Sequence, residues 1–467
     1  MQEEIKKPAT DNKMYKKMTE TPVSKLVIQL GIPTTISMLV TSLYNMADTY
    51  FVSTGGESAS GAVGVVFGLM AWIQAFGFMF GQGAGVVASK ALGAKDNDRA
   101  NRSDSTGFAL SLAIGALIGI LGLVFINPIM RVLGSTETIL PYARDYSRFI
   151  LIAAPFMCAS CVLNNILRFE GKALYSMVGL VSGGLLNIFG DWLLIGEMNM
   201  GVSGAGIATA CSQVFSFSLL LIPFFTGKSS GKIRLKSITL SFELISDICK
   251  TGFPSLVRQG FASFSTMLLN NCAKVYGDVA VAAMSIVNRV CFFTFATALG
   301  IGQGFQPVCS FNYGAKKYGR VRKACIFTLL AGETLLGIVA VIGFFVSDKI
   351  VAIFLNEPEV IRIGTTALAA QFIGQIFQPP TVCTNMLYQS VGKSGVATFI
   401  SMGRNGLFFI PVLLILTSTL GLPGVQYSQA IADVLTFFLA APFGVSFLRK
   451  LKVMERENAI EEKAPEK

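Results

Sequence analysis

The chain has 467 residues, of which 52% are hydrophobic and only 14% are charged, and its net charge is +11. A soluble domain carries about 25% charged residues, so this composition excludes a soluble protein of the same length, and the long apolar segments need lipid as their solvent. Nucleic-acid binding is disfavoured, because the basic residues form no patch or motif.

Segments of about 20 mostly apolar residues predict membrane-spanning helices, and twelve can be placed on this sequence. In chain order they cover 24–47, 60–88, 104–126, 147–168, 173–196, 203–226, 243–271, 279–309, 322–346, 364–390, 396–418 and 424–447. The segment 1–23 is too polar for a signal peptide, so the first span is expected to stay uncleaved. The predicted fold class is an all-α membrane protein.

The basic residues indicate the orientation of the chain in the membrane. Of the 38 Lys and Arg residues, 29 fall in the two termini and the even-numbered loops, six in the odd-numbered loops and three inside spans. Basic loops stay on the cytoplasmic side. We therefore expect a multi-pass protein with both termini in the cytoplasm.

A single offset in the numbering, 221, relates the two halves of the sequence, and we call it the repeat offset. Gly31-Ile32-Pro33 recurs at this offset as Gly252-Phe253-Pro254, and Gly81-Gln82-Gly83 recurs as Gly302-Gln303-Gly304. An even number of helices in each repeat gives both copies the same orientation. The sequence thus predicts two parallel six-helix repeats, which usually enclose a substrate path; a scaffold without a path is the alternative.

The repeat divides the chain into five predicted segments. They are a cytoplasmic N-terminal segment (1–23), an N-lobe (24–227), a cytoplasmic linker (228–242), a C-lobe (243–448) and a cytoplasmic tail (449–467).

Two acidic residues of the first half lie at the same predicted depth. Asp48 is near the outer end of span one, with Thr41 and Asn45 on its face, and Asp191 is near the outer end of span five, one turn after Asn187. Two carboxylates that share a small pocket repel each other, and a proton or a sodium ion relieves that repulsion. The pair could therefore drive a conformational change; a buried hydrogen-bonded lock between two helices is the alternative.

The chain has no histidine. A proton relay must therefore use carboxylates, with Tyr44 or Tyr50 as hydrogen-bonding partners, and histidine-based enzyme or metal chemistry is excluded. We expect no enzymatic activity, no cofactor and no resident metal ion.

Polar residues of the second half follow two helical faces. They are expected, together with Asn45 and Asp433, to line a half-apolar substrate cavity; interhelical hydrogen bonding is the alternative. The faces consist of Gln259, Ser263, Thr266 and Asn270 in span seven, beside Met267, and of Gln371, Gln375 and Gln378 in span ten.

Charged residues inside the spans must face a cavity or a partner. In the second half these are Arg258, Arg289 and Arg404, for which Glu333 and Asp433 are the candidate partners. Sequence alone leaves the pairing open.

Four segments together carry a family resemblance. Gly31-x-Pro33, Ala47-Asp48-Thr49-Tyr50-Phe51-Val52, Leu186-Asn187-Ile188-Phe189-Gly190-Asp191 and Gly204-Ala205-Gly206-Ile207-Ala208-Thr209 resemble the MATE (multidrug and toxic compound extrusion) family of transporters. The resemblance implies twelve helices in two lobes and export of organic, often cationic and amphipathic compounds in exchange for H⁺ or Na⁺. It also implies ion coupling through Asp48, Asn187, Asp191 and Thr209, the last on this ground alone.

The branch of the family follows from the start of span seven. Gly252-Phe253-Pro254 is followed by no acidic residue up to Phe264. This pattern resembles the bacterial DinF-like branch, of the MepA type. The resemblance implies a monomer in the bacterial inner membrane, with small amphipathic molecules and lipid as partners. A lipid-linked oligosaccharide flippase of the same superfamily is the alternative. Such a flippase would have a basic cavity and a drug exporter an acidic one, so the charge of the cavity separates the two.

Overall fold

The computed structural model describes residues 9–53 and 57–461, and within these ranges every regular element is a helix. The first half contains α1 (Ala9–Glu20), α2 (Val23–Ser53), α3 (Glu57–Gly93), α4 (Asn97–Val124), α5 (Ile126–Val132), α6 (Leu140–Phe169), α7 (Ala173–Asp191) and α8 (Gly201–Phe225). A π-helical segment, Trp192–Glu197, continues α7. The prediction of an all-α protein is confirmed for the described chain.

The second half repeats this succession with more breaks. It contains α9 (Phe242–Lys274), α10 (Asp278–Gly314), α11 (Tyr318–Phe345), α12 (Ser347–Phe354), α13 (Pro358–Gln375), α14 (Gln378–Val391), α15 (Ser394–Met402), α16 (Phe409–Leu420) and α17 (Leu422–Glu461). A second π-helical segment, Gly403–Leu407, joins α15 to α16.

Most of these helices can cross a membrane. By length and composition ten helices of the described chain qualify, and the bent pair α13–α14 makes an eleventh if it is one span. The helix α9 is 33 residues long, but Asp247, Lys250 and Arg258 make it less apolar. With α9, these elements follow the order of the twelve predicted spans. The largest difference in bounds is in the last helix, which runs to Glu461 where the prediction ended at 447.

The tenth predicted span, 364–390, is broken. Its two helices meet at an angle of 49° between Gln375 and Gln378. Pro379 and Pro380 stand at the start of the second helix, and because proline has no backbone N–H and its ring clashes with the preceding turn, the helical hydrogen-bond ladder cannot pass this point.

The backbone repeats in the two halves as the sequence does. Lys95 and Lys316, which are related by the repeat offset, both have positive φ angles, 63° and 56°. Gly171 and Gly392, related in the same way, have φ angles of 77° and 88°. A positive φ is uncommon outside glycine, so the matched lysines indicate the same turn in both copies.

The two halves touch where four glycines face each other, and we call this contact the glycine seal. A Cβ atom on Gly304 would lie 2.3 Å from Cα of Gly31, and one on Gly252 would lie 1.8 Å from the carbonyl oxygen of Met79, beside Gly83. Only glycine permits such an approach of α10 to α2 and of α9 to α3. The seal lies toward the basic end, the end of the bundle that carries the lysine turns and the linker.

The predicted N-terminal segment contains a helix, α1, that lies across the basic end. Met14 and Met18 of this helix are buried. Lys17 donates a hydrogen bond to the carbonyl oxygen of Gly171 in the first half (2.9 Å), whereas Arg320 of the second half donates to the carbonyl oxygen of Met18 (3.3 Å). Thus α1 connects both halves; residues 1–8, like 462–467 of the predicted tail, lie outside the described residues.

The linker between α8 and α9 binds to the first half. The carboxylate of Glu170, at the end of α6, accepts hydrogen bonds from the hydroxyl of Ser229 and from the backbone N–H groups of Ser230 and Gly231 (2.7–2.9 Å). Lys172 lies 2.8 Å from the same carboxylate. The buried end of α6 therefore holds the linker in place.

Candidate substrate cavity and ion-coupling site

A cavity of about 520 Å³ lies between the two halves. Its walls come from the late part of α2 and the early part of α3 in the first half, and from α9, α10 and the π-helical segment Gly403–Leu407 in the second half. Because the glycine seal lies on the early part of α2 and the late part of α3, the cavity occupies the half of the bundle away from the basic end. We call it the central cavity.

Few of the predicted substrate residues line this cavity. Asn45 and Gln259 do so. Ser263 donates a hydrogen bond to the carbonyl oxygen of Gln259 within its own helix, and Met267 is 51% exposed on the outside of the bundle. Neither these two residues nor Asn270 is among the lining residues. Of the predicted polar face of α9, Gln259 and Thr266 line the cavity, and Ala262, Ser265 and Leu269 complete this part of its wall.

The predicted glutamine face of span ten is packed inside the second half. Gln371, Gln375 and Gln378 are at most 3% exposed, as is Asp433. Gln378 donates to one carboxylate oxygen of Asp433 (3.0 Å), and the other oxygen accepts from Arg404 (2.7 Å). These side chains therefore lie behind the cavity wall, and their contact with substrate stays a prediction.

Three arginines and no carboxylate line the described wall of the central cavity. They are Arg258, Arg289 and Arg404. Asp433, one of the two candidate acidic partners, pairs with Arg404, whereas Glu333 makes no ion pair within residues 9–53 and 57–461. Every charged side chain on the described wall is therefore basic, and one of the three is paired with a carboxylate behind it.

The predicted ion-coupling residues lie inside the first half. Asp48, on α2, is 2% exposed, and one of its carboxylate oxygens accepts a hydrogen bond from the hydroxyl of Tyr146 on α6 (2.7 Å). The same hydroxyl is near Thr209 of α8, and the carboxylates of Asp48 and Asp191 are close enough to repel each other. The structure therefore brings four helices together at this point.

Several oxygen atoms of this site accept no hydrogen bond in the described structure. The amide nitrogen of Asn187 donates to the hydroxyl of Thr209 (3.2 Å). This leaves its carbonyl oxygen free, together with one oxygen of Asp48 and both oxygens of Asp191, which is 0% exposed. Two buried carboxylates without a counter-charge are costly, and a proton or a cation would lower that cost.

The helix after Asp191 changes form. The α-helical part of α7 ends at this residue and the π-helical segment Trp192–Glu197 follows. Single π-helical turns widen the helix and occur frequently at functional sites. Beside the site lies a smaller cavity of about 140 Å³, which Asn187, Asn45 and Gln259 all line. Since the last two also line the central cavity, Asn187 of the predicted ion-coupling site lies in a cavity that adjoins the central cavity.

The sequence analysis missed Tyr146. The expected partners of Asp48 were Tyr44 and Tyr50, which share its helix. Instead, Tyr44 faces Gln74 and Gln213, and Tyr50 is 68% exposed. A tyrosine just outside the predicted span 147–168 was a weak signal, because nothing in the spacing relates it to Asp48, which lies three spans earlier in the predicted order.

Among the described residues, no group of three or more His, Cys, Asp or Glu side chains could hold a metal ion. The oxygen atoms around Asp191 come from two carboxylates and an amide, the kind of donors that hard cations prefer.

Comparison with known families gives a direct assignment. The family model described as MatE matches residues 33–193 and again residues 254–415. The chain belongs to the MatE family. The two matches cover the two halves separately, as expected for a duplicated MatE unit.

Similar proteins agree with this assignment. The MatE chain is 27% identical over 450 residues to the multidrug export protein MepA of Staphylococcus haemolyticus, a match that covers 95% of this chain and 97% of the relative. It is equally similar to MepA of Staphylococcus aureus, with 98% of that relative covered. A multidrug-resistance MATE transporter of the MOP superfamily, solved in an outward-facing conformation, matches with a TM-score of 0.88 at 25% identity, covering 93% of this chain and 98% of the other.

Proposed function

We propose that this multidrug efflux transporter exports amphipathic organic compounds in exchange for H⁺ or Na⁺ by alternating access. The observation that best supports this proposal is a group of buried side-chain oxygens on Asp48, Asn187 and Asp191 that accept no hydrogen bond. One bound cation would neutralise charge that the protein itself leaves uncompensated, so the free energy of each conformation would depend on ion occupancy.

The coupling would act through the first half alone. The positions that correspond to Asp48 and Asp191 at the repeat offset are Leu269 and Val412. Neither can bind a proton or a cation through its side chain. The proposed ion site therefore has no counterpart at these two positions of the second half.

The glycine seal supports the alternating-access part of the proposal. The two halves are closed against each other at the basic end, and the central cavity lies on the other side of the seal. This arrangement corresponds to a transporter that is open at the end opposite the basic end. Because basic loops face the cytoplasm, we propose that both termini are cytoplasmic and that the membrane is the bacterial inner membrane.

We also propose that the protein is a monomer with the five predicted segments. These are the N-terminal segment (1–23), the N-lobe (24–227), the linker (228–242), the C-lobe (243–448) and the tail (449–467).

The charge of the central cavity favours a second candidate. Three lining arginines and no lining carboxylate suit a lipid-linked oligosaccharide flippase, which must hold pyrophosphate. The same lining speaks against the expected preference for cationic substrates. We retain export of amphipathic compounds as the first proposal because the similar chains of the same length are multidrug exporters.

Substrate uptake into proteoliposomes tests the coupling. A pH gradient and a Na⁺ gradient are imposed separately on vesicles that contain the wild type, Asp48→Asn or Asp191→Asn. We expect each substitution to abolish gradient-driven uptake, because a neutral amide removes the charge that the ion compensates.

Asp145→Asn is the matched control, since Asp145 precedes Tyr146 in the chain but its side chain is 43% exposed. Uptake by this variant is expected to equal that of the wild type. Gradient-driven uptake that survives in both buried variants would refute the coupling role.

A further inference from the structure

A small recess opens where the floor of the central cavity meets α14 and α15. Its volume is about 40 Å³, and it is lined by Arg258, Arg404, Asn385, Ser401 and Thr381. A single water molecule needs roughly 10–15 Å³ in this measure. The recess therefore has room for a compact group of about three or four heavy atoms. Most of the rest of its lining is apolar, including Phe295, Leu299 and Met386, so the two guanidinium groups are its charged donors.

The charge of Arg258 is uncompensated in the described structure. Its guanidinium donates to the side-chain oxygen of Asn385 (3.2 Å) and to the hydroxyl of Ser255 (3.4 Å), which are both neutral. Its Nε atom is buried and has no acceptor. A buried guanidinium without an anionic partner is costly, so this residue is poised to bind an anion.

A second arginine, Arg404, lines the same recess and uses only some of its guanidinium N–H groups in other contacts. Arg404 uses Nε for the ion pair with Asp433, and the central carbon of its guanidinium lies 4.1 Å from the ring centroid of Phe295. Phe295 lines both the recess and the central cavity, as do the two arginines. The recess is thus continuous with an aromatic wall that includes Phe292 and Phe293.

From this arrangement we infer that the recess binds the anionic group of an amphipathic substrate. The group is a carboxylate, a sulfonate or a phosphate monoester held by Arg258 and Arg404, while the apolar part of the molecule lies along the phenylalanines of the central cavity. This inference rests on the proposed export function and names its substrate class. A cationic head group would meet two guanidinium groups and is rejected.

The recess is a property of the second half only. At the repeat offset, Ser37 and Gly183 occupy the positions of Arg258 and Arg404. The carboxylates of the predicted ion-coupling site are therefore in the first half, and the two guanidinium groups of the recess are in the second half. Ion and substrate would bind in separate lobes, with opposite charges at the two sites.

The test uses three probes that share a dansyl group and a six-carbon chain. Their ends differ: 6-(dansylamino)hexanoate is anionic, its primary amide is neutral, and N-dansyl-1,6-diaminohexane is cationic. Binding of each is measured by dansyl fluorescence with the full chain in nanodiscs of phosphatidylcholine, after subtraction of empty nanodiscs. We expect the dissociation constant of the anionic probe to be at least about tenfold lower than that of the amide. The cationic probe should have the highest dissociation constant of the three.

Arg258→Gln should remove this preference, whereas Arg258→Lys should restore part of it because lysine keeps the charge but not the planar fork of donors. Binding of the neutral amide should change little in both. The matched control is Arg362→Gln, because Arg362 is an exposed arginine paired with Glu359. Tighter binding of the cationic probe would overturn the inference, and so would an equal loss of all three probes in Arg258→Gln.

Two sources of the anionic group are separated by adding phosphatidic acid, whose head group is a phosphate monoester, to the nanodiscs. Competition with the anionic probe identifies a lipid head group as an occupant, whereas unchanged binding identifies a soluble anion. Binding needs no ion gradient, so the head-group preference can be observed even if gradient-driven uptake fails, and the two proposals can be refuted separately.

Discussion

Replacing Gly252 by alanine should open the transporter at its basic end. In the closed arrangement the new Cβ atom would lie 1.8 Å from the carbonyl oxygen of Met79, a distance that must grow to at least 3.0 Å. The obstructing atom belongs to the backbone of α3, so no side-chain rotation can make room for it. The helices α3 and α9 must therefore separate.

The magnitude follows from the cost of overpacking. Inserting one methyl group into a tight contact typically costs about 1–3 kcal/mol. Only the conformation in which α3 and α9 touch bears this cost, so the equilibrium between conformations should shift by the same amount. A difference of about 1–3 kcal/mol corresponds to a population change of roughly 5- to 150-fold.

The shift can be measured through Cys161, which lines the smaller cavity next to the ion-coupling residues. In a background in which the other eight cysteines are replaced by serine or alanine, a membrane-impermeant maleimide is added to inside-out vesicles. We expect Gly252→Ala to raise the labelling rate by the factor given above, because opening of the glycine seal exposes this cavity to the basic end.

Gly260→Ala is the control for this experiment. It lies two turns further along α9, and its added Cβ atom would meet nothing closer than the ring of Trp72 at 3.5 Å, an ordinary contact. Its labelling rate should equal that of the background. An unchanged rate in Gly252→Ala, with the protein still monodisperse in detergent, would refute the reasoning, as would an equal increase in both variants.

Two further substitutions test the first half of the molecule. Tyr146→Phe removes the only hydrogen bond to Asp48 within the described chain; because a hydrogen bond to a charged group is worth about 1.5–3 kcal/mol, ion-driven uptake in proteoliposomes should fall about tenfold or more. Glu170→Ala removes the acceptor of the linker hydrogen bonds and leaves Lys172 without its carboxylate; we expect a loss of about 3–5 kcal/mol, measured as a lower unfolding temperature in detergent.

Each of these variants has a matched control. Tyr142→Phe changes a tyrosine that is 44% exposed on the same helix as Tyr146, and it should leave uptake unchanged. Glu137→Ala removes an exposed carboxylate that pairs with Arg131, and it should hardly move the unfolding temperature. Equal uptake by the Tyr146 and Tyr142 variants would contradict the role of the Tyr146–Asp48 hydrogen bond. Equal unfolding temperatures of the Glu170 and Glu137 variants would contradict the role of Glu170 in holding the linker.

The sequence was enough to predict the spans, the duplication and the grouping of three polar residues of the first half, because these depend on local information. Hydropathy over about 20 residues decides whether a helix can enter lipid, and the repeat offset related Gly31 to Gly252 before any contact was known. Asp48, Asn187 and Asp191 could be grouped because charged and amide side chains inside spans must face a partner or a cavity.

Only the tertiary structure decided how the helices are rotated and which faces meet. In the structure, Asp48 accepts its hydrogen bond from Tyr146 rather than from a tyrosine of α2. Arg404 pairs with Asp433, and Met267 faces away from the central cavity. The structure also showed that arginines, not acidic residues, line the central cavity. These outcomes depend on packing between helices that are distant in the chain, where a small rotation of one helix replaces the residues that face the cavity, and sequence periodicity within a single helix cannot supply that rotation.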